Sequence, residues 1–578
     1  MITRFFGKRE WGLVAIAIAL ILCQVWMDMR IPQYMNTITD SFLLERLDVV
    51  SQCGIEMLLC AFISLGLAIV AGFVLSNLSA SVGRNIRLAQ FDRIRSFSLE
   101  DIDRFSTDSL ITRSTNDVTQ IQNFITRGMQ VAIKSPIVAI WAVCMIAGTS
   151  MEWTSVTATG VIVLVVVMGV SVYYASKRYA RVQWLTDNVN RATRENIDGI
   201  RVIRAYNAED HQESKFEKAT GDLLENNLSA IRIMTPGFPI AHAVMNFVTL
   251  GIYWVGMGVI SSAGTQDAQL MLFSDMIVFT SYATMVISSF MQLFSIMRVM
   301  PRMLVGLRRI EEVVDTEPSI KDGPVDDQSG EGSIEFRDVS FRYPGAQRDA
   351  LSGITLKVEP GTTLAIIGST GSGKTTLVNL IARLYDATSG EVLVDGRDVR
   401  EYTLHALHSR MGYVTQSATL FSGSVKMNVN YGHGSENRDD EDIAKALRVA
   451  KADSFVDDLP EKTESNISQH GRNLSGGQKQ RISIARAICR SPRILILDDT
   501  FSALDFKTDL ELRTALRREM SGSTVVIVAQ RIGTIRDADR IVVLEGGRIV
   551  GIGTHDELMS GCETYRDMAR SQFTGEMQ

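Results

Sequence analysis

Six long apolar runs in the first 300 residues constrain this chain more than any other feature. A bilayer core asks for roughly 20 apolar residues in a row before a helix can cross it. Runs of about that length lie near Trp11–Met27, Cys53–Ser76, Met129–Thr149, Trp153–Ala175, Phe238–Ser262 and Asp275–Met300. They predict an all-α domain of six membrane-spanning helices. Arg4, Lys8 and Arg9 precede the first run, as they would in a signal peptide. The residues after it, Met27-Asp28-Met29-Arg30, offer no small-residue cleavage site, so the run reads as a retained helix. The stretches 77–128 and 176–237 are rich in arginine, among them Arg84, Arg87, Arg93, Arg95, Arg178 and Arg181. The loops near Glu152 and over 261–274 hold no Arg or Lys. The positive-inside rule then places both termini and the two long stretches in the cytoplasm. Helical periodicity continues through those stretches, so helices two to five are expected to project beyond the bilayer.

Several polar residues in the runs call for a reason. Lys134 sits near the cytoplasmic end of helix three, where its stem can snorkel. Pro136 is expected to kink that helix. His242 and Asn246, at i and i+4, share a face of helix five, which suits either a substrate cavity or a bond to a neighbouring helix. Met276, Met285, Met291 and Met297 on helix six suit ordinary packing better than an adaptable binding surface. The six cysteines, Cys23, Cys53, Cys60, Cys144, Cys489 and Cys562, show no metal-ligand spacing and read as free thiols.

At 578 residues the chain is too long for one ordinary domain. Composition divides it into a membrane domain over 1–314, a Pro- and Gly-containing linker over 315–332, and a soluble α/β domain over 333–578. The net charge of −6, without a basic stripe, predicts no nucleic-acid partner. The second domain contains Gly368-Ser369-Thr370-Gly371-Ser372-Gly373-Lys374-Thr375-Thr376, a phosphate loop between an apolar run, Thr363–Ile367, and a helical run, Thr376–Leu384. Glycines there let backbone N–H groups close on phosphate oxygens, and the helix N-terminus adds positive potential. Lys374 reaches the outer phosphates and Thr375 offers a hydroxyl to Mg²⁺. Ile494–Asp498 reads as a buried strand ending in a Mg²⁺-orienting acid, with Asp499 next. Tyr413–Gln416 and Thr524–Ala529 read as strands leading to Gln416 and Gln530. Leu474-Ser475-Gly476-Gly477-Gln478 opens a helical run whose N–H groups point at an anion. Strands alternating with helices around a phosphate loop predict a parallel α/β core.

Together these motifs resemble the ATP-binding-cassette (ABC) transporters, specifically the multidrug-type exporters with six membrane helices ahead of one nucleotide-binding domain. The resemblance covers essentially the whole chain. It implies ATP and Mg²⁺ as ligands, with Thr375, Gln416 and Asp498 around the metal and Tyr343 stacking on adenine. It implies that Asp101–Asp117 and Glu195–Asp210 are coupling helices. It also implies a dimer in which Leu474–Gln478 of one subunit completes the ATP site of the other.

Two positions depart from the family pattern. Asp499 stands where the family has Glu, and Gln530 where it has His; Gln469 replaces a usual acid. Asp499 is one methylene too short to hold the attacking water well, and Gln530 cannot carry the charge of His. Loss of a positioned base typically costs ~10²–10⁴ in rate. Nucleotide-binding groups are intact. The chain therefore looks like the slow-site half of a heterodimeric bacterial exporter in the cytoplasmic membrane. It would lend an intact signature to a partner half-transporter's active site and move small hydrophobic or amphipathic compounds among membrane lipids. A homodimer, a lipid or peptide exporter, and an ATP-binding regulatory subunit are the other readings.

Overall fold

The computed structural model describes residues 2–43, 46–147, 150–297, 299–432 and 438–575. The chain forms two compact units, Met1–Arg95 with Thr107–Thr316, and Ser96–Ser106 with Glu317–Gln578.

The first unit is all helix. Among the described residues, six helices are long and apolar enough to cross a membrane: Lys8–Phe42, Leu47–Arg95, Thr107–Ile146, Met151–Ala175, Glu209–Ser261 and Gln266–Ile296. Lipid offers backbone groups no hydrogen bonds, so continuous helix is the conformation these apolar runs can keep there. The helices exceed the apolar runs. Leu47–Arg95 has 49 residues and Met151–Asp198 has 48. At 1.5 Å per residue each is about 70 Å long, more than twice a bilayer core. The third span is interrupted by π-helical turns at Arg113–Asp117 and Phe124–Gly128, and Met129–Ile146 runs on through Pro136. The expected third run extended to Thr149, but residues 148 and 149 lie outside those described. The sixth helix ends at Met297 rather than Met300. A new helix, Met300–Asp315, begins there with proline in its first turn, where a missing N–H costs nothing.

Small residues let these helices meet closely. A Cβ on Gly160 would lie 2.2 Å from Val248, and one on Gly256 2.5 Å from the Met276 sulfur. Around these contacts Ile21, Trp153, Leu164, Ile252, Phe279 and Tyr282 are fully buried. Met276, Met285 and Met291 pack into the same core, as expected for packing residues. His242 and Asn246 share an exposed face instead. Lys134 does not snorkel. Its Nζ lies 2.9 Å from Asp28 Oδ2, both side chains are three-quarters buried, and Ser64 donates to Asp28 Oδ1 at 2.5 Å. A cation inside the unit gains more from an adjacent carboxylate than its stem gains by stretching to water.

The second unit has a six-stranded sheet at its centre. In spatial order the strands are Arg548–Gly553, Arg540–Glu545, Thr363–Gly368, Thr524–Val528, Ile494–Asp498 and Met411–Val414. All neighbours pair in parallel except Arg540–Glu545 with Arg548–Gly553. Thr524–Val528 and Ile494–Asp498 are buried along their whole length, which is why both read as unbroken apolar runs. A four-stranded antiparallel sheet, led by Ile334–Phe341, packs its apolar residues with one face of this core.

The stretch that composition marks as a linker is held down. Gly323 N–H donates to Tyr402 O at 3.0 Å, Val325 N–H to Glu401 O at 3.0 Å, and Arg383 reaches Lys321 O at 2.9 Å. Ser96–Ser106, although it falls among the first 314 residues, also folds with this unit. Its short helix, Leu99–Phe105, is capped by Ser98. The buried Asp101 carboxylate accepts from Ser98 N–H at 2.9 Å and from Ser319 N–H at 3.0 Å. Asp101→Ala strands both amides. We expect a local loss of ~1–3 kcal/mol, read as faster hydrogen exchange at residues 98–105 with the central sheet unaffected.

Candidate nucleotide site

The phosphate loop leaves the sheet at its middle. Strand Thr363–Gly368 delivers it, and Gly368 passes so close to the next strand that a Cβ would lie 2.2 Å from Leu544 O. The backbone then turns through Gly371 at φ +81° and Gly373 at φ +100°, left-handed conformations that glycine adopts without cost. Helix Lys374–Ile381 follows, starting two residues earlier than the sequence suggests. Ser369, Thr370 and Gly371 are exposed at the mouth of the loop, while Ser372 and Lys374 are buried.

Lys374 Nζ donates to Gly368 O at 2.9 Å and Ser369 O at 2.8 Å, closing the loop upon itself. Burial pulls its pKa down, against the opposing pull of Asp499 and Asp498. The Ser372 hydroxyl is buried and has no hydrogen-bond partner among the described residues, and one unmet polar atom inside a phosphate loop calls for a ligand. Thr375 Oγ1 donates to Asp498 Oδ1 at 3.2 Å. Burial raises the Asp498 pKa above the ordinary carboxylate range, with the Thr375 bond opposing it.

Neighbouring parallel strands end at the same edge and bring the remaining groups in. Asp498 and Asp499 follow from Ile494–Asp498, Gln530 from Thr524–Val528 and Gln416 from Met411–Val414. Asp499 Oδ2 accepts from Gln530 Nε2 at 2.7 Å and from Gln416 Nε2 at 3.2 Å. Its backbone is fixed in the left-handed region at φ 45°, with its N–H donating to Val528 O at 3.0 Å and its carbonyl accepting from Ser502 Oγ at 2.8 Å.

Tyr343 also joins the site. Its hydroxyl is 3.0 Å from Thr376 Oγ1, and its half-buried ring packs edge-on against Phe341 and Tyr385 at 4.9 and 5.4 Å. Tyr385 was not legible as a site residue. Burial and the nearby Asp103 carboxylate push its pKa up to about 12. The Leu474–Gln478 segment stands elsewhere. Ser475 caps helix Gly476–Ile488 in a reciprocal box with Gln478, Ser475 and Gly476 are exposed, and Leu474 is buried. Among the described residues no hydrogen bond ties it to Gly368–Thr376 of the same chain.

The residues fit a nucleotide and its metal. The glycine-lined turn, the orphaned Ser372 hydroxyl and the buried Lys374 could hold phosphate oxygens. Thr375, Asp498 and Gln416 could hold Mg²⁺, which would neutralise phosphate charge. Family comparison agrees. Residues 351–502 match the ABC transporter model, and residues 14–290 match the ABC transporter transmembrane region. The chain is 38% identical, over 87% of its length and 86% of the relative's, to an uncharacterized ABC transporter ATP-binding protein of Mycobacterium tuberculosis strain H37Rv.

This chain belongs to the ABC transporters.

It is also 33% identical to an ABC transporter ATP-binding protein of Bacillus subtilis strain 168, across 97% of this chain and 96% of that one. An ATP-dependent lipid A-core flippase of Pseudomonas fluorescens strain Pf0-1 is 32% identical, over 87% of this chain and 82% of the flippase. A solved bacterial Atm1-family ABC exporter with ATP bound superposes with a TM-score of 0.83 over 98% of this chain and 99% of that one. At 21% identity that likeness is one of fold. The protein thus has the fold of an ABC exporter, and its ABC ATPase domain implies ATP hydrolysis coupled to transport.

The geometry sets the buried Lys374 of the phosphate loop apart from the Asp499–Gln530 pair. Lys374→Ala is expected to weaken ATP binding at least about tenfold, since it deletes a buried phosphate cation. Asp499→Asn and Gln530→Ala should leave ATP affinity within about threefold, because neither carries a charge that phosphate binding needs. Equilibrium binding of a fluorescent ATP analogue to the three variants checks the division.

Proposed function

We propose that this ABC exporter moves hydrophobic or amphipathic compounds out across the cytoplasmic membrane, as the slow-site half of a heterodimer. The observation that carries this reading is the pair of hydrogen bonds donated to Asp499. Its Oδ2 accepts hydrogens from both Gln416 and Gln530. A base that must take a proton from water is a weaker acceptor when one of its oxygens is already occupied twice. Gln530 adds a neutral donor where a charged one would stabilise developing phosphate charge better. The binding half of the site, from Gly368 to Thr376 with Asp498 and Tyr343, has no such defect.

A slow site makes sense beside a fast one. The exposed Ser475 and Gly476, the cap and first residue of helix Gly476–Ile488, suit completion of a partner subunit's nucleotide site. The partner would supply a Glu and a His on its own cassette. ATP retained at the slow site would hold the two cassettes together for longer, because a ligand shifts a population only towards the state it binds better. Mg²⁺ at Thr375, Gln416 and Asp498 would screen phosphate charge there. The flippase relative favours a lipid as a second substrate reading.

ATP turnover of the full chain in nanodiscs, alone and with a co-expressed partner half-transporter, tests the assignment. Brisk turnover only in the mixture, abolished by changing the partner's catalytic Glu, is the expected result. Asp499→Glu combined with Gln530→His should then raise turnover at this chain's own site by about tenfold or more. Brisk turnover of the chain alone, lost in Asp499→Asn, would establish a homodimer with Asp499 as a working base.

A further inference from the structure

The first unit contains a cavity of about 220 Å³ that no nucleotide chemistry explains. Helices Lys8–Leu43, Met129–Ile146 and Gln266–Met297 line it. It lies towards the end of the unit where helices one and two, and three and four, are joined by short connections. Its wall has two characters. Gln33, Asn36, Asp275 and Tyr282 are polar, while Met145 and Phe279 are among the apolar residues. None of its lining residues is basic.

The carboxylate is the unusual element. Asp275 shares a hydrogen bond with Asn36, whose side chain also receives the Ser274 hydroxyl. The Tyr282 hydroxyl is directed to Met29 O at 3.0 Å. Asp40, on helix one, stands close enough to repel Asp275. Among the described residues neither carboxylate has a Lys, Arg or His at ion-pairing distance. Asp28 shows the contrast: its charge is met within the same bundle by Lys134 at 2.9 Å. An ionised side chain in a membrane bundle is costly unless something answers its charge. Among the described residues no cation does, and beside it is a space roughly seven times the ~30 Å³ share of a liquid water. An ammonium with its first few methylenes matches that volume, that charge and that mixed wall.

We propose that this cavity takes the cationic headgroup of an amphipathic substrate, with Asp275 as its charged partner and Met145 and Phe279 against its first carbons. The assignment rests on the export reading above and names its substrate class. Asp40 adds long-range attraction. Asn36 and Ser274 hold the Asp275 side of the cavity in place.

Calorimetric binding of decylammonium and of uncharged decanol to the full chain in nanodiscs, corrected against empty nanodiscs, decides it. The wild type should bind decylammonium at least about tenfold more tightly than decanol, the usual worth of a charge-assisted bond. Asp275→Asn should bring the two to parity while decanol binding stays, which shows an intact cavity. Asp275→Glu should keep the preference. Equal binding of both probes to the wild type, or a preference that survives Asp275→Asn, overturns the proposal. If Asp275→Asn loses decanol as well, Asp275→Glu decides: a kept preference supports the site and a lost one sinks it. Should no amphiphile be transported while the charge preference holds, the export reading fails and the site stands.

Discussion

Parallel register is the constraint on which the nucleotide site depends. Thr524–Val528 pairs with Thr363–Gly368 on one side and Ile494–Asp498 on the other, and Ile494–Asp498 pairs with Met411–Val414. Because all four strands run the same way, their ends share one edge. The phosphate loop, Gln530, the Asp498-Asp499 pair and Gln416 therefore converge without a long-range fold having to bend towards them. A slip of one residue in Thr524–Val528 would turn its side chains to the other face and move Gln530 off the Asp499 carboxylate. The site's polar geometry is a by-product of buried apolar pairing.

The membrane unit obeys the opposite economy. Its helices close their own backbone bonds, and what remains to be specified is which faces meet. Gly160 against Val248 and Gly256 against Met276 do this by permitting approach. The Asp28–Lys134 pair does it by penalising separation, since either partner alone would leave a charge unanswered. Asp275 differs: among the described residues no Lys, Arg or His pairs with it, whereas Asp28 has Lys134 at 2.9 Å.

Much of this was legible in the residues. Apolar runs show helices in lipid because length and continuity are the physical requirement. The phosphate loop shows its strand and helix because its glycines and lysine serve one geometry. Pairing was not legible. Lys134 and Asp28 are more than 100 positions apart in the sequence, and nothing local in either predicts that they meet. Asp275 was visible only as the edge of an apolar run; a carboxylate inside helix Gln266–Met297 was the signal available. The bonds from Gln416 and Gln530 to one oxygen of Asp499 likewise arise from register, which a single sequence does not display. The linker over 315–332 misled for another reason: Pro and Gly announce the absence of regular structure, and say nothing of whether its backbone is tied to neighbours, as Gly323 and Val325 are.

The position of Ser96–Ser106 has a bearing on modularity. These 11 residues lie between helix Leu47–Arg95 and the third span, yet they fold with residues from Glu317 onward. The Asp101 carboxylate bonded to Ser319 N–H stands in for a backbone partner that the later segment does not provide itself. The cassette is thus completed by a piece of chain written more than 200 residues upstream. A boundary drawn along the sequence is not a boundary in space, and a cassette exchanged between relatives at residue 317 would carry its socket without the plug that fills it.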